Sequence, residues 1–294
     1  MKKIEEYVYH FTKENNPVYE LDENEKIIFK TFDCFTNQIT SNEDLIDSID
    51  YDKVNPATGP VYIKGAKAGD VIKVNIEKIE VADKGVALTI PGVGPLDDIV
   101  ETRTKVLEIK NGKVEFNDTN FDINPMIGVI GVAPKDGKIS CGLSGDHGGN
   151  MDNKKIVEGT SVYFPVNVDG ALLQMGDLHA VMGDGEICGT GLEIPGEVTI
   201  SVEVIKNANL NRPLLEDDNN YYTIASAKTY EEAVELASKD MQQLISKSYG
   251  WDITDTFIYM SLQSDVEICQ GARPSDWDII VRVKIPKLKD KKLI

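Results

Sequence analysis

Between Asp146 and Glu193 the chain sets carboxylates and imidazoles among glycines. The first motif is Gly145-Asp146-His147-Gly148-Gly149-Asn150-Met151-Asp152. The second is Gly176-Asp177-Leu178-His179, followed by Gly183-Asp184-Gly185-Glu186 and Gly189-Thr190-Gly191-Leu192-Glu193. Two of the chain's three histidines lie here. Glycine lets backbone approach a ligand closely and adopts conformations closed to other residues. Asp177 and His179 are two apart, so on an extended strand they share a face. Such a pair offers one oxygen and one nitrogen to a cation, and zinc or manganese suits mixed ligation.

The same residues have a plainer reading. Asp-Gly and Gly-Asp are common in turns, where Asp caps its own backbone, and a single His on a strand is more often structural than a ligand. From spacing alone the stretch reads either as a metal or catalytic site or as a run of turns. Upstream, Thr31 to Thr40 places Asp33 after the apolar run Ile27 to Phe29, at a strand end. Gln38 can hold an amide through paired donor and acceptor groups, or can belong to a polar loop. Asn55-Pro56-Ala57-Thr58-Gly59-Pro60 is a tight turn whose Asn55 or Thr58 could line a pocket. His10 has no acid at a useful spacing and reads as structural. Gly128 to Gly131 is not a complete dinucleotide fingerprint. The cysteines Cys34, Cys141, Cys188 and Cys269 are far apart, with no CxxC pair, and read as buried thiols.

The elements that must carry these residues are mostly strands. Val71 to Ile79 alternates apolar and polar residues, as a half-buried strand does. Ile27–Phe29, Val61–Ile63, Val106–Ile109, Ser161–Phe164 and Val198–Val204 look similar, and Asn111-Gly112 signals a hairpin. The composition changes after Asn211. Thr229 to Glu232 reads as a capping box, an apolar stripe runs from Ala233 to Ile245, and Gly250 stops the helix. Asp252 to Leu262 reads as a second helix, Val266–Gln270 and Ile279–Ile285 as strands, and Glu216 to Asn220 as a surface loop. The expectation is a mainly β, overall α+β fold: a sandwich-like β-rich catalytic region over 1–210, with a smaller α+β region over 211–294 packed on it as one unit.

Composition narrows the function. Hydrophobic residues make up 41% of the 294, enough for a packed core. A net charge of −18 repels phosphate backbones, which argues against nucleic acid and anionic membranes as partners. No apolar run reaches the ~18 residues of a membrane span. Met1-Lys2-Lys3 lacks the apolar core of a signal peptide, so a cytoplasmic location is expected. A homodimer is the expected assembly.

With these motifs assembled, the sequence resembles the acetamidase/formamidase family. The residues that carry the resemblance are His147 to Asp152, Pro165 to Leu173, Gly176 to His179, Gly183 to Glu186, Gly189-Thr190 and Glu193. Asp33 to Thr40, Asn55 to Pro60, Met126 to Gly131 and Ser264 to Ile268 match as well. The likeness spans nearly the whole chain. Where formamidase-like members tend to carry Glu-Asn, this chain has Asp146-His147. The resemblance implies hydrolysis of a small linear carboxamide, acetamide or formamide, to carboxylate and ammonia. It also implies bound divalent metal: zinc in the first place, with manganese or calcium as alternatives. On this reading Asp177, His179, His147 and Asp33 are candidate ligands, Glu186 is the general base with Glu193 in reserve, and Gln38, Asn150, Asp152 and Asp184 orient substrate or ligands. The competing readings are a nucleophilic amidase using Cys141 or Cys188, a metal-binding β-sandwich without turnover, and an amidase for a larger or cyclic amide.

Overall fold

The alternation along Val71 to Ile79 becomes the spine of the larger core. In the computed structural model, which describes residues 1–294, Val71–Val81 is one strand with Ile72, Val74 and Ile76 buried. Gly196–Ile205 pairs antiparallel with it along its whole length, and Ser161–Pro165 flanks its other side. These strands belong to a nine-stranded sheet. Lys2–Ile4 and Ile27–Thr31 extend it beyond Gly196–Ile205. Leu214–Glu216, Asn220–Ala227, Ile279–Pro286 and Asp265–Gln270 extend it on the other side.

A second, twelve-stranded sheet is centred on Leu173–His179. That strand pairs with Met126–Gly131 on one side, and with Ala57–Ile63 and Glu193–Ile194 on the other. A cluster of 35 buried residues joins the two sheets. Phe29, Val74, Ile200 and Val202 enter it from the first, and Ile127, Ile130, Met175 and Leu178 from the second. The core is therefore sandwich-like, with apolar faces of two sheets burying each other. The Lys110–Lys113 hairpin forms, with Asn111 and Gly112 both at positive φ.

The C-terminal helix α1, Tyr230–Tyr249, begins and ends where its sequence signals stand. Thr229 Oγ1 accepts from Glu232 N at 3.2 Å, and Gly250 is left-handed at φ 73°. Its face of Ala233, Ala237, Met241 and Ile245 packs against Asn220–Ala227 and Ile279–Pro286 in a separate 18-residue cluster. Helix α2, Ile253–Gln263, is capped by the Asp252 carboxylate. No helix is long and apolar enough to cross a membrane.

Glu216 to Asn220 is a surface turn, as expected: it joins the paired strands Leu214–Glu216 and Asn220–Ala227, and Asp217 Oδ1 ties it by accepting from Asn219 N and Asn220 N at 2.7 Å each. Met126–Gly131 and Leu173–His179 have no alternation because every residue in them is buried. A strand covered on both faces reads as a continuous apolar run. And the first sheet runs straight through the compositional change near residue 210.

Ile200 is fully buried between the sheets. Ile200→Ala is expected to lower unfolding stability by about 2–4 kcal/mol in urea titration, and a loss under about 1 kcal/mol would remove this position from the core.

Candidate active site

The centre of the site lies at the end of Leu173–His179. His179 sits directly opposite Glu193 on one neighbouring strand and Met126 on the other. Asp177 and His179 do converge, but not by regular alternation. Asp177 has φ 53°, in the left-handed region, and its Oδ1 lies 3.4 Å from His179 Nε2. Asp152 and Glu186 also have positive φ, 37° and 43°. Such conformations cost of order 1–3 kcal/mol each, so the surrounding sheets must hold them.

Two glycines make the convergence possible. A Cβ on Gly128 would lie 2.6 Å from Asp152 Oδ1 and 2.7 Å from Asp177 Oδ2. The Gly128 carbonyl meanwhile accepts from Met151 N at 3.0 Å and Asp152 N at 3.3 Å. A Cβ on Gly191 would lie 2.4 Å from His179 Nδ1. Gly191 N donates to Glu193 Oε1 at 2.8 Å, which fixes that carboxylate.

The result is a tight group of acids around one imidazole. His179 Nε2 lies 3.1 Å from Glu193 Oε2 and 3.8 Å from Asp152 Oδ1. Ligand atoms of Asp152, His179 and Glu186 fall within 4.8 Å of one another, as do those of Cys34, Asp177 and Glu193. Yet Asp152 Oδ1, Asp177 Oδ1, Glu193 Oε2 and His179 Nδ1 are buried without a hydrogen-bond partner. Proximity without hydrogen-bond geometry, in a buried place, is what a cation site looks like when only its ligands are considered.

The electrostatics follow from burial and crowding. Burial pushes the Glu193 carboxyl up to about 7, with the His179 charge working against it and Asp177 adding to it. Burial raises Asp152 and Glu186 well above the usual carboxylate range, and neighbouring acids raise them further. For His179 burial acts downward, but Glu193 and Asp177 outweigh it and raise the imidazole well above its ordinary value. Burial and crowding thus favour the protonated forms of Asp152, Glu186, Glu193 and His179.

The remaining expected residues are placed as follows. Asp33 belongs to neither ligand group. Its Oδ1 accepts from Phe35 N at 3.0 Å and Asn37 N at 2.6 Å, which shapes the loop that presents Cys34. Burial raises Asp33 to about 6. His147 is also outside both groups. It is buried edge-on against Phe11 at 4.8 Å, and burial lowers it to about 4. Gln38 does not reach the cavity; it braces the loop by bonding the backbone of Asp50 and Lys53. Asn150 lines the cavity with Oδ1 unpartnered. Asp152, expected in a supporting role, stands in the group itself. Asp146 pairs with Arg212 away from the group.

Asp184 supports from behind. Its Oδ2 accepts from Arg282 Nη2 at 2.7 Å, and Lys154 Nζ lies 2.9 Å away. Burial acts upward on its carboxyl, but these two cations hold it below the usual carboxylate range. Fully buried Arg282 also donates to Asn153 Oδ1 at 2.9 Å and Glu267 Oε2 at 2.5 Å. One guanidinium thus ties together the segments that carry Asp152 and Glu186.

A cavity of about 590 Å³ opens onto Asp152, Asp177, Glu186 and Glu193. Sequence reasoning did not find several of its residues. Cys34 was visible only as the neighbour of Asp33. Gln270, Trp277 and Ile280 come from the C-terminal region and carry no motif. Asn55 does line the cavity, whereas Thr58 is buried and donates to Lys30 O at 2.7 Å.

Comparison with known proteins identifies the fold and the family. Solved structures with the same architecture include a recombinant "predicted acetamidase/formamidase" from the thermophile Thermoanaerobacter tengcongensis, 46% identical, with a TM-score of 0.93 over 97% of this chain and 95% of that one. An acetamidase from Bacillus halodurans is 39% identical, with a TM-score of 0.92 over 97% of each chain. A gamma lactamase from Delftia acidovorans shares the fold, with a TM-score of 0.67 at 20% identity over 95% of this chain and 88% of that one. Among curated sequences, a putative formamidase of Schizosaccharomyces pombe is 26% identical over 253 residues, 64% of this chain and 61% of that protein. The formamidase of Methylophilus methylotrophus is 52% identical over 64 residues, 21% of this chain and 16% of that protein. The chain thus spans less than two thirds of these curated relatives. The Acetamidase/Formamidase family model matches residues 5–139 and 143–244, which contain every acid of the buried group together with His179, and on that match the chain belongs to the acetamidase/formamidase family.

Proposed function

We propose that this protein hydrolyses a linear carboxamide to the carboxylate and ammonia, with a divalent cation held by the buried group. The observation that carries this reading is the set of unpartnered oxygens of Asp152, Asp177 and Glu193 around the His179 imidazole, three of these four residues lining the cavity. The family and the names of its acetamidase and formamidase members support an amide as substrate. Two further atoms fit an amide directly. Asn150 Oδ1 and Gln270 Oε1 are buried acceptors without partners, and both residues line the cavity. A primary amide brings two N–H donors to satisfy them.

Donor chemistry and burial suit zinc or manganese, with Asp152, His179 and Glu186 as the residues that would hold it. A bound cation of this kind polarises a carbonyl and lowers the pKa of water towards ~7. The chain's own part is proton handling and orientation. Glu193, which lines the cavity and is not among those three residues, takes a proton from the attacking water and returns it to the departing nitrogen. The Gly191 N–H, donating to Glu193 Oε1 at 2.8 Å, holds that carboxylate in place. Asn150 and Gln270 orient the amide nitrogen. This assignment moves Glu186 from base to ligand.

A thiol nucleophile fits less well. Burial pushes Cys141 up to about 12 and it does not line the cavity; Cys188, expected to be buried, is exposed and does not line the cavity either. Cys34 lies among acids, and burial with their charge raises it well above the ordinary thiol value, so it stays protonated.

Removing metal with a chelator should abolish ammonia release from acetamide, and zinc or manganese should restore it; undiminished release from verified metal-free protein would sink this reading. Loading metal-free protein at pH 7 in weak buffer should release protons, and apparent affinity should rise with pH, because bound protons must leave raised carboxyls and His179. Glu193→Gln should lower kcat by about 10²–10⁴-fold while bound metal, read by elemental analysis, is retained. If metal is lost instead, Glu193 is a ligand rather than the base. Gly128→Ala forces Asp152 and Asp177 apart and should weaken metal affinity by about tenfold or more, and unchanged affinity would show that these two acids do not act together.

A further inference from the structure

The cavity is far larger than the small amides for which the relatives are named. At about 590 Å³ it lies within the ~300–1,000 Å³ range of pockets that enclose drug-sized ligands. Acetamide would leave most of it wet.

Its lining mixes the acids Asp152, Asp177, Glu186 and Glu193 with neutral polar side chains, among them Asn55, Ser140 and Ser144, and with apolar ones. Beside the acids begins an apolar wall. Cys34, which shares a ligand-distance group with Asp177 and Glu193, also belongs to a small buried cluster with Phe35, Ile46 and Ile49. Val54 and Ile90 pack against that cluster and line the cavity too. Leu143, Trp277 and Ile280 line the cavity as well. Gly189, whose N–H donates to the Glu186 carbonyl at 2.8 Å, leaves room for the side chains of Ile90 and Trp277, since a Cβ there would lie 3.2 Å from each. The apolar wall therefore reaches the loop that carries Glu186.

Apolar surface also continues to the mouth. Tyr51 and Leu143 line the cavity yet remain 57% and 49% exposed. The one lysine in the wall, Lys228, is already paired with Asp278 at 2.8 Å. No free cation is left to bind an anionic acyl group, and the acids would repel one.

We infer that the preferred substrate is a primary carboxamide with a medium-length apolar acyl chain, which lies along the wall of Phe35, Ile46, Ile49, Val54, Ile90 and Trp277. This rests on the amide hydrolysis proposed above and specifies its substrate class. The reaction is unchanged: water adds across the C–N bond, leaving the fatty or aryl carboxylate and ammonia. The carboxylate is then expelled from a wall of acids.

The test is ammonia release by metal-loaded protein from acetamide, butanamide, hexanamide and 6-aminohexanamide. Each buried methylene is worth up to about fourfold in binding. The kcat/KM for hexanamide should exceed that for acetamide by at least about tenfold, and the amino-substituted chain should lose most of that gain. Val54→Trp, which fills the wall, should lower the hexanamide-to-acetamide ratio by about fivefold or more; a ratio within one preparation is insensitive to the fraction folded. A hexanamide value at or below that for acetamide overturns the inference and leaves amide hydrolysis standing. The same holds if 6-aminohexanamide matches hexanamide. If no amide is turned over, the hydrolytic reading fails, and occupancy is then read by Trp277 fluorescence in a Trp251→Phe background. Hexanamide binding at least about tenfold tighter than acetamide upholds the apolar site, and equal binding removes it.

Discussion

Four buried carboxyls around one imidazole are the constraint from which the rest of this structure follows. Two like charges about 4 Å apart, even at an effective dielectric near 20, repel by roughly 4 kcal/mol. Ligand atoms of Asp152 and Glu186 lie within 4.8 Å of each other, as do those of Asp177 and Glu193, and all four side chains are buried at the edge of the cavity. They cannot all be charged unless something positive sits among them. In the protein alone, protons and the His179 charge serve. The raised carboxyls and the raised imidazole are one effect seen from two sides.

Holding such a group together requires rigidity from elsewhere. The twelve-stranded sheet supplies part of it, since His179 and Glu193 are paired across neighbouring strands whose side chains are buried. Gly128 and Gly191 supply space where any side chain would push the acids or the imidazole aside. Arg282 supplies the connection to the other sheet. It lies on Ile279–Pro286, satisfies Asp184, Glu267 and Asn153, and so braces the Asp152 and Glu186 segments from the C-terminal region. Breaking one partner of a buried ion pair costs far more than the pair contributes. The C-terminal region is thus structurally part of the site.

How much of this was legible in the sequence depended on the physical signal each residue leaves. Half-buried strands such as Val71–Val81 alternate, and a capped helix such as Tyr230–Tyr249 shows Thr229 and Gly250 at its ends. Strands covered on both faces show neither, so Met126–Gly131 was not read as a strand, and Leu173–His179 was read as one only at Asp177 to His179. The spacing of Asp177 and His179 suggested convergence on a regular strand, and the structure reaches it through a left-handed kink that spacing does not reveal. Gln38 stood in a suggestive motif yet spends its amide on a loop, whereas His147 packs against Phe11 with both ring nitrogens buried and without a hydrogen-bond partner. Arg282 and Trp277 had no motif at all. Their roles arise from long-range pairing, which no local pattern encodes.

The division of the site between sheet and loop has a consequence for specificity. Asp177, His179 and Glu193 lie on strands of the central sheet, while Asp152 and Glu186 follow immediately from segments tied to it or to Arg282. Phe35, Ile46, Ile49 and Val54 lie on the long connection between Ile27–Thr31 and Ala57–Ile63, and Trp277 lies on the connection before Ile279–Pro286. Connections accept substitution and insertion more readily than the strands they join. The chemistry is therefore fixed by the part of the molecule that cannot change without losing its core. The cavity wall of Phe35, Ile46, Ile49, Val54 and Trp277 is set by parts that can change. A fold built this way can keep one buried acidic centre and vary the cavity beside it.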